Sequence, residues 1–289
     1  MTAALHPTVP PLGRLLRLGV VLDARNPAGR LLEIAGMCDR VGIGAVWADE
    51  LRILALLAPV VERAHLGLTL GSGADLGGLL DGDALDGASG ERLEVTVRDA
   101  SPPSLEAVRA AVGGRSRPKL AVEVADDRDV AAWLGLVDDV LPVAGTVDQV
   151  AGAAAALRQV AAGLGRDPAT LGIAARLPVS VGRTVTEAWA RWGAEPAFAA
   201  LGPPQEAAIF GTLEQCHERV IALAHAGVTD LRCVLPNTAD VHDVIAQLTA
   251  MTIGTVDKLL PGAPRSPAPP PPPGWGGRPR FPTGSPSRR

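Results

Sequence analysis

Short β-branched or apolar runs alternate along this chain with Ala- and Leu-rich stretches whose apolar positions recur at helical spacing. The runs Arg17–Asp23, Ala45–Asp49, His65–Leu70, Leu93–Arg98, Lys119–Val124, Asp139–Val143, Ile173–Val181 and Asp230–Leu235 read as eight strands. Between them, helices are predicted over Ala28–Val41, Leu51–Arg63, Asp75–Asp86, Ser104–Val112, Asp127–Leu136 and Val147–Leu164. Glu187–Ala226 reads as a helical region interrupted at Pro203–Pro204, and a closing helix covers roughly Ala239–Leu260. A strand followed by a helix, repeated eight times within residues 15–261, is the pattern of parallel βαβ units. Its length matches the ~250 residues typical of an α/β (β/α)₈ TIM barrel, a closed parallel sheet with outer helices. An open, doubly wound sheet is the second arrangement that this periodicity allows.

The two ends differ from the middle. Residues 1–14 form an N-terminal arm in which Pro7, Pro10, Pro11 and Arg14 interrupt any apolar leader. Residues 262–289 form a Pro/Arg-rich tail with a polyproline tract at Pro269–Pro273, and such a composition buries no core and is expected to stay disordered. The tail carries Arg265, Arg278, Arg280, Arg288 and Arg289 and no acid, so the formal net charge of −4 conceals a distinctly acidic remainder. That balance argues against a nucleic-acid partner held through phosphates. No apolar run is long enough to span a bilayer, so no membrane partner and a cytoplasmic location are expected. Cys38, Cys216 and Cys233 are widely spaced in apolar surroundings and read as buried thiols, with neither a disulfide framework nor a metal site.

Several local motifs are similar to those of the luciferase-like monooxygenases, the flavin- or F420-dependent oxidoreductases of that class. "DRVGIGAVWADE" (Asp39–Glu50) resembles the family's helix–Gly–strand segment ending in Trp and an acid, and "HLGLTLGSG" (His65–Gly73) its third strand. "LDGASGERLEVTV" (Leu85–Val97) is like the lead-in to its fourth strand, and "AAGLGRDPATLGI" (Ala161–Ile173) like the approach to its seventh. "GTLEQCHERVIALAHAGVTDLRCVLP" (Gly211–Pro236) is similar to the helix that leads into its eighth. The resemblance covers most of residues 15–261. It implies FMN or coenzyme F420 at the C-terminal mouth of the barrel and oxidation or monooxygenation of a small organic substrate there. A flavin reductase and a second copy of the chain are the protein partners that such a reading admits. The chain departs from the family in lacking its long insertion, with strand two running almost directly into the next helix and a very short stretch between strands four and five. It departs in two motifs as well. Asp49–Glu50 stands where an acid–His pair is expected, and "VADDRD" (Val124–Asp129) replaces a Gly-rich phosphate turn with carboxylates. A shortened, non-catalytic barrel that binds a cofactor or a partner protein is therefore the alternative.

Chemistry in a barrel sits at the C-terminal ends of the strands, which selects the candidates. Asp23, Asp49 and Glu50 are the candidate catalytic groups, able to orient a substrate or accept a proton, although the first two serve equally as caps of the following segment. Trp47 is placed to flank an isoalloxazine ring, or else to fill the core. Gly71, Ser72 and Gly73 offer backbone N–H groups to a phosphate or a ring edge, or form a plain turn. Arg98 is the strongest candidate for an anionic cofactor group, with pairing to Asp99 or Glu123 as its structural alternative. "HERVI" (His217–Ile221) is not a zinc-protease motif, and the chain has no nucleophile elbow, P-loop or GxGxxG after the first strand. Its two lysines, Lys119 and Lys258, lie away from the mouth, which disfavours a Schiff-base aldolase.

Overall fold

The computed structural model describes residues 16–71, 92–98, 101–112, 119–124, 130–142, 146–201, 203–204, 208–237 and 241–259. Nine strands occur among them: β1 Arg17–Leu22, β2 Ala45–Ala48, β3 His65–Leu70, β4 Leu93–Val97, β5 Lys119–Val124, β6 Asp139–Pro142, β7 Gly172–Gly182, β8 Ile209–Thr212 and β9 Asp230–Val234. Each of β1 to β6 pairs in parallel with the next, β6 pairs with β7, β7 with β9, and β9 with β1. Eight strands thus close into a parallel (β/α)₈ TIM barrel, and β8 is an addition outside it.

The helices are α1 Ala28–Val41, α2 Leu51–Leu57, α3 Pro102–Val112, α4 Val130–Leu134, α5 Val147–Gly163, α6 Val185–Ala194, α7 Pro196–Ala199, α8 Leu213–His225 and α9 Val241–Leu259. α5 and α8 each begin with a reciprocal capping box, Thr146 with Gln149 and Thr212 with Gln215, which satisfies two otherwise orphaned N–H groups. The predicted helix Asp75–Asp86 lies outside the described residues, and the helix after β2 ends at Leu57 instead of Arg63.

The stretch Glu187–Ala226, expected to be helical apart from an interruption at Pro203–Pro204, also holds a strand. Ile209–Thr212 pairs in parallel with Val179–Gly182, so the eleven-residue β7 switches partner from β9 to β8 halfway along. Phe210 anchors this strand edge-on against Trp189 and Trp192, with ring centroids at 5.1 and 6.3 Å. Gly211, its penultimate residue, has φ 123°, a conformation that L side chains rarely adopt, and the Gln215 carboxamide occupies the space of its missing Cβ. The capping box at Thr212–Gln215 is the local signal that a new helix starts there.

Side chains alternate across each strand, and the two faces differ in kind. Leu18, Val20, Leu22, Val46, Leu66, Leu68, Val95, Val97, Leu120, Val122, Leu231 and Cys233 face outward and build the apolar core with the helices. Many inward positions are small or polar, among them Gly19, Gly67, Thr69, Glu94, Thr96, Asp139, Asp230 and Arg232, while Val21 and Trp47 are large apolar exceptions. Barrel interiors are usually filled by bulky branched residues, whereas this lumen holds charges.

Candidate active site

The lumen charges are balanced in opposite-sign pairs, as burial requires. Near the N-terminal ends of the strands, the Arg17 guanidinium donates to Glu94 at 2.6 Å and to Asp230 at 2.9 Å. His65 Nδ1 lies 3.1 Å from the same Glu94, and Lys119 pairs with Asp139. Burial works against the charge of Glu94, but Arg17 and His65 hold it well below the usual carboxylate range. Burial prevails at Asp139, which is pushed upward in spite of Lys119. One layer higher, Arg232 is 1% exposed, donates to Thr96 at 2.7 Å and to Asp230 at 3.3 Å, and lies over the Trp47 ring. Trp47 is itself 1% exposed. It therefore fills the lumen as a core residue, the second of the two roles expected for it.

Above this layer is the C-terminal mouth. Arg176, projecting from β7, donates through Nη1 and Nη2 to the two carboxylate oxygens of Asp49 at 3.0 and 2.8 Å. The same carboxylate lies 3.5 Å from Nη2 of Arg98, whose Nε donates to Glu123 at 3.0 Å. The four side chains form a line of alternating charge, Arg176–Asp49–Arg98–Glu123, carried by β7 and by the ends of β2, β4 and β5. All four are between 24% and 35% exposed, so solvent reaches them. Burial opposes ionisation of Asp49, but the Arg176 bonds and both guanidinium charges overcome it and lower its pKa. At neutral pH Asp49 is thus a charged orienting group and a weak base.

The other candidates separate by position. Asp23 accepts bonds from Arg25 and from the Asn237 amide at 2.7 Å, and these hold its pKa down at about 2. Asn237 N in turn donates to the buried Glu195 at 2.7 Å, so Asp23 belongs to a neighbouring cluster at the end of β1. Glu50 stands at the N-cap position of α2 and pairs with Arg52 on the surface, apart from the Asp49 line. Gly71 is half-buried just after β3, while Ser72 and Gly73 lie outside the described residues. Among the described residues no group of three or more His, Cys, Asp or Glu side chains is placed to hold a metal ion. Arg176 escaped the sequence reading because it sits inside a strand; its place in the period-2 series Gly172, Ala174, Arg176 is the signal that turns it inward.

No protein-family model matches the chain, and no curated protein matches it. Solved structures do match. A coenzyme F420-dependent tetrahydromethanopterin reductase from Methanopyrus kandleri superposes with a TM-score of 0.66 at 13% identity, over 83% of this chain and 99% of that one. A monooxygenase, RslO1, from Streptomyces bottropensis does so with a TM-score of 0.63 at 16% identity, over 85% and 98%. An F420-dependent secondary alcohol dehydrogenase gives 0.64 at 12% identity, over 84% and 99%. The shared architecture spans nearly the whole of each of these proteins, and this chain has the (β/α)₈-barrel fold that they have.

Proposed function

We propose that this chain is a flavin- or F420-dependent oxidoreductase of the luciferase-like type, acting on a small organic substrate at the barrel mouth. The observation that carries this reading is the pair of part-exposed guanidiniums, Arg98 and Arg176, at the mouth of a barrel whose structural neighbours include F420-dependent enzymes and monooxygenases. The donor set suits such a cofactor, because a guanidinium presents several N–H groups in a plane that matches phosphate oxygens. Arg98, whose backbone N–H donates to the Leu70 carbonyl just before Gly71, would hold the cofactor's anionic group. Bound there, FMN or F420 supplies the hydride or oxygen chemistry.

The chain's own residues then have distinct tasks. Asp49 remains ionised and pairs with the two guanidiniums before a ligand binds. Trp47 and Arg232 fill the lumen beneath, so that the floor of the site is packed side chain and excludes water from below. Asp23, held charged by Arg25 and Asn237, accepts hydrogen bonds at the rim. The internal pairing of Asp49 with both arginines favours the second reading, a barrel that binds a cofactor or partner without turnover. Turnover of reduced FMN or F420 by the purified protein tests the first reading, and binding without turnover supports the second.

A further inference from the structure

We propose that Asp49 acts as a built-in stand-in for an external oxyanion, and that the mouth takes a phosphate or carboxylate group between Arg98 and Arg176 in its place. The inference rests on the mouth being the ligand site, and it adds the chemistry of what binds there. Two guanidiniums, carried by β7 and by the end of β4, converge on one carboxylate from separate parts of the rim. Arg176 holds it through two short bonds, whereas Arg98 stands at 3.5 Å and is shared with Glu123. The carboxylate is one-third exposed, so an anion from solution reaches the same donors without crossing a packed wall. The lumen layer below has its own acids for its own cations and contributes no unbalanced charge.

The four-residue line carries two positive and two negative charges, which sets the resting affinity for an anion low. Asp49→Asn keeps the shape of the side chain, removes the competing charge and leaves the line with a net positive charge. Glu123→Gln does the same from the other end and serves if Asp49→Asn proves unstable.

The test measures equilibrium binding of inorganic phosphate, benzoate, FMN and riboflavin to the wild type, Asp49→Asn, Glu123→Gln and the double variant Asp49→Asn with Arg176→Gln. Folding of each variant is checked by its melting curve. Asp49→Asn and Glu123→Gln are each expected to tighten an oxyanion by about tenfold or more, and Arg176→Gln to abolish the gain. A gain for phosphate and FMN without one for riboflavin assigns the subsite to the cofactor's phosphate; a gain for benzoate alone assigns it to a substrate carboxylate. Unchanged oxyanion affinity in both single variants overturns the proposal, as does a gain that survives Arg176→Gln. Riboflavin carries the ring without a phosphate, so its binding by the wild type reports on the flavin reading independently.

Discussion

The guanidinium of Arg232 lies 3.5 Å from the centroid of the Trp47 ring, and both side chains are almost wholly buried inside the barrel. This cation–π contact closes the lumen beneath the mouth, and it exists because Gly67 on the adjoining strand leaves room for the indole.

A Cβ at Gly67 would stand 2.2 Å from the Trp47 ring atoms, and the indole is walled in on its other sides. Gly67→Ala should therefore destabilise the protein by at least the ~1–3 kcal/mol typical of overpacking. Because the clash is with one side chain, adding Trp47→Leu should cost less than the two single changes summed. Thermal melts of the three variants check this, and additive losses would mean that the alanine clashes with something else.

The barrel was legible because strand and helix periods alternate cleanly, and apolar strand residues such as Leu18, Val20 and Leu22 signal a sheet covered by helices. The added strand was not legible. Ile209–Thr212 is four residues long within helix-forming surroundings, and its long-range pairing with Val179–Gly182 and packing on Trp189 and Trp192 make it a strand. Of the site, Asp49 and Arg98 could be found from their place at strand ends. Arg176 could not be joined to them, because 127 residues separate it from Asp49 and closure of the barrel alone brings them together. The charged lumen stayed hidden because the runs Leu93–Arg98 and Lys119–Val124 read as apolar strands, although Glu94 and Lys119 turn inward with period 2.

Acid should unfold the protein through its depressed carboxylates. Glu94, Asp49 and Asp23 have folded pKa values below those of the unfolded chain. Their stabilisation is complete above the unfolded values near ~4 and is lost as the pH falls through the folded ones, reaching about 2 for Asp23. Asp139 is shifted the other way, so its ionised form is disfavoured by folding at neutral pH and the disadvantage fades as the pH falls. At pH 7, Glu94→Gln should cost toward the low end of ~3–5 kcal/mol, since Arg17 keeps Asp230 as a partner. Asp139→Asn should cost clearly less. Denaturant melts at pH 7 and pH 3 test the pair, and equal losses at both pH values would contradict the assignment.

The Pro/Arg composition of residues 262–289 leads to a separate expectation. Deleting Gly262–Arg289 should leave the melting temperature unchanged, and a drop of several degrees would show that the tail packs on the barrel.

The claim that the mouth holds an anionic flavin or deazaflavin is tested most directly by equilibrium binding of FMN and of F420, followed by fluorescence, to the wild type and to Arg98→Ala. Saturable binding of one of the two is predicted. Losing the charge-assisted contact of Arg98 should weaken it by ~1.5–3 kcal/mol, roughly tenfold or more, with little change in the melting curve. Failure of both cofactors to bind, or an affinity that Arg98→Ala leaves untouched, would contradict the placement and leave the fold as the one property shared with the flavin and F420 enzymes.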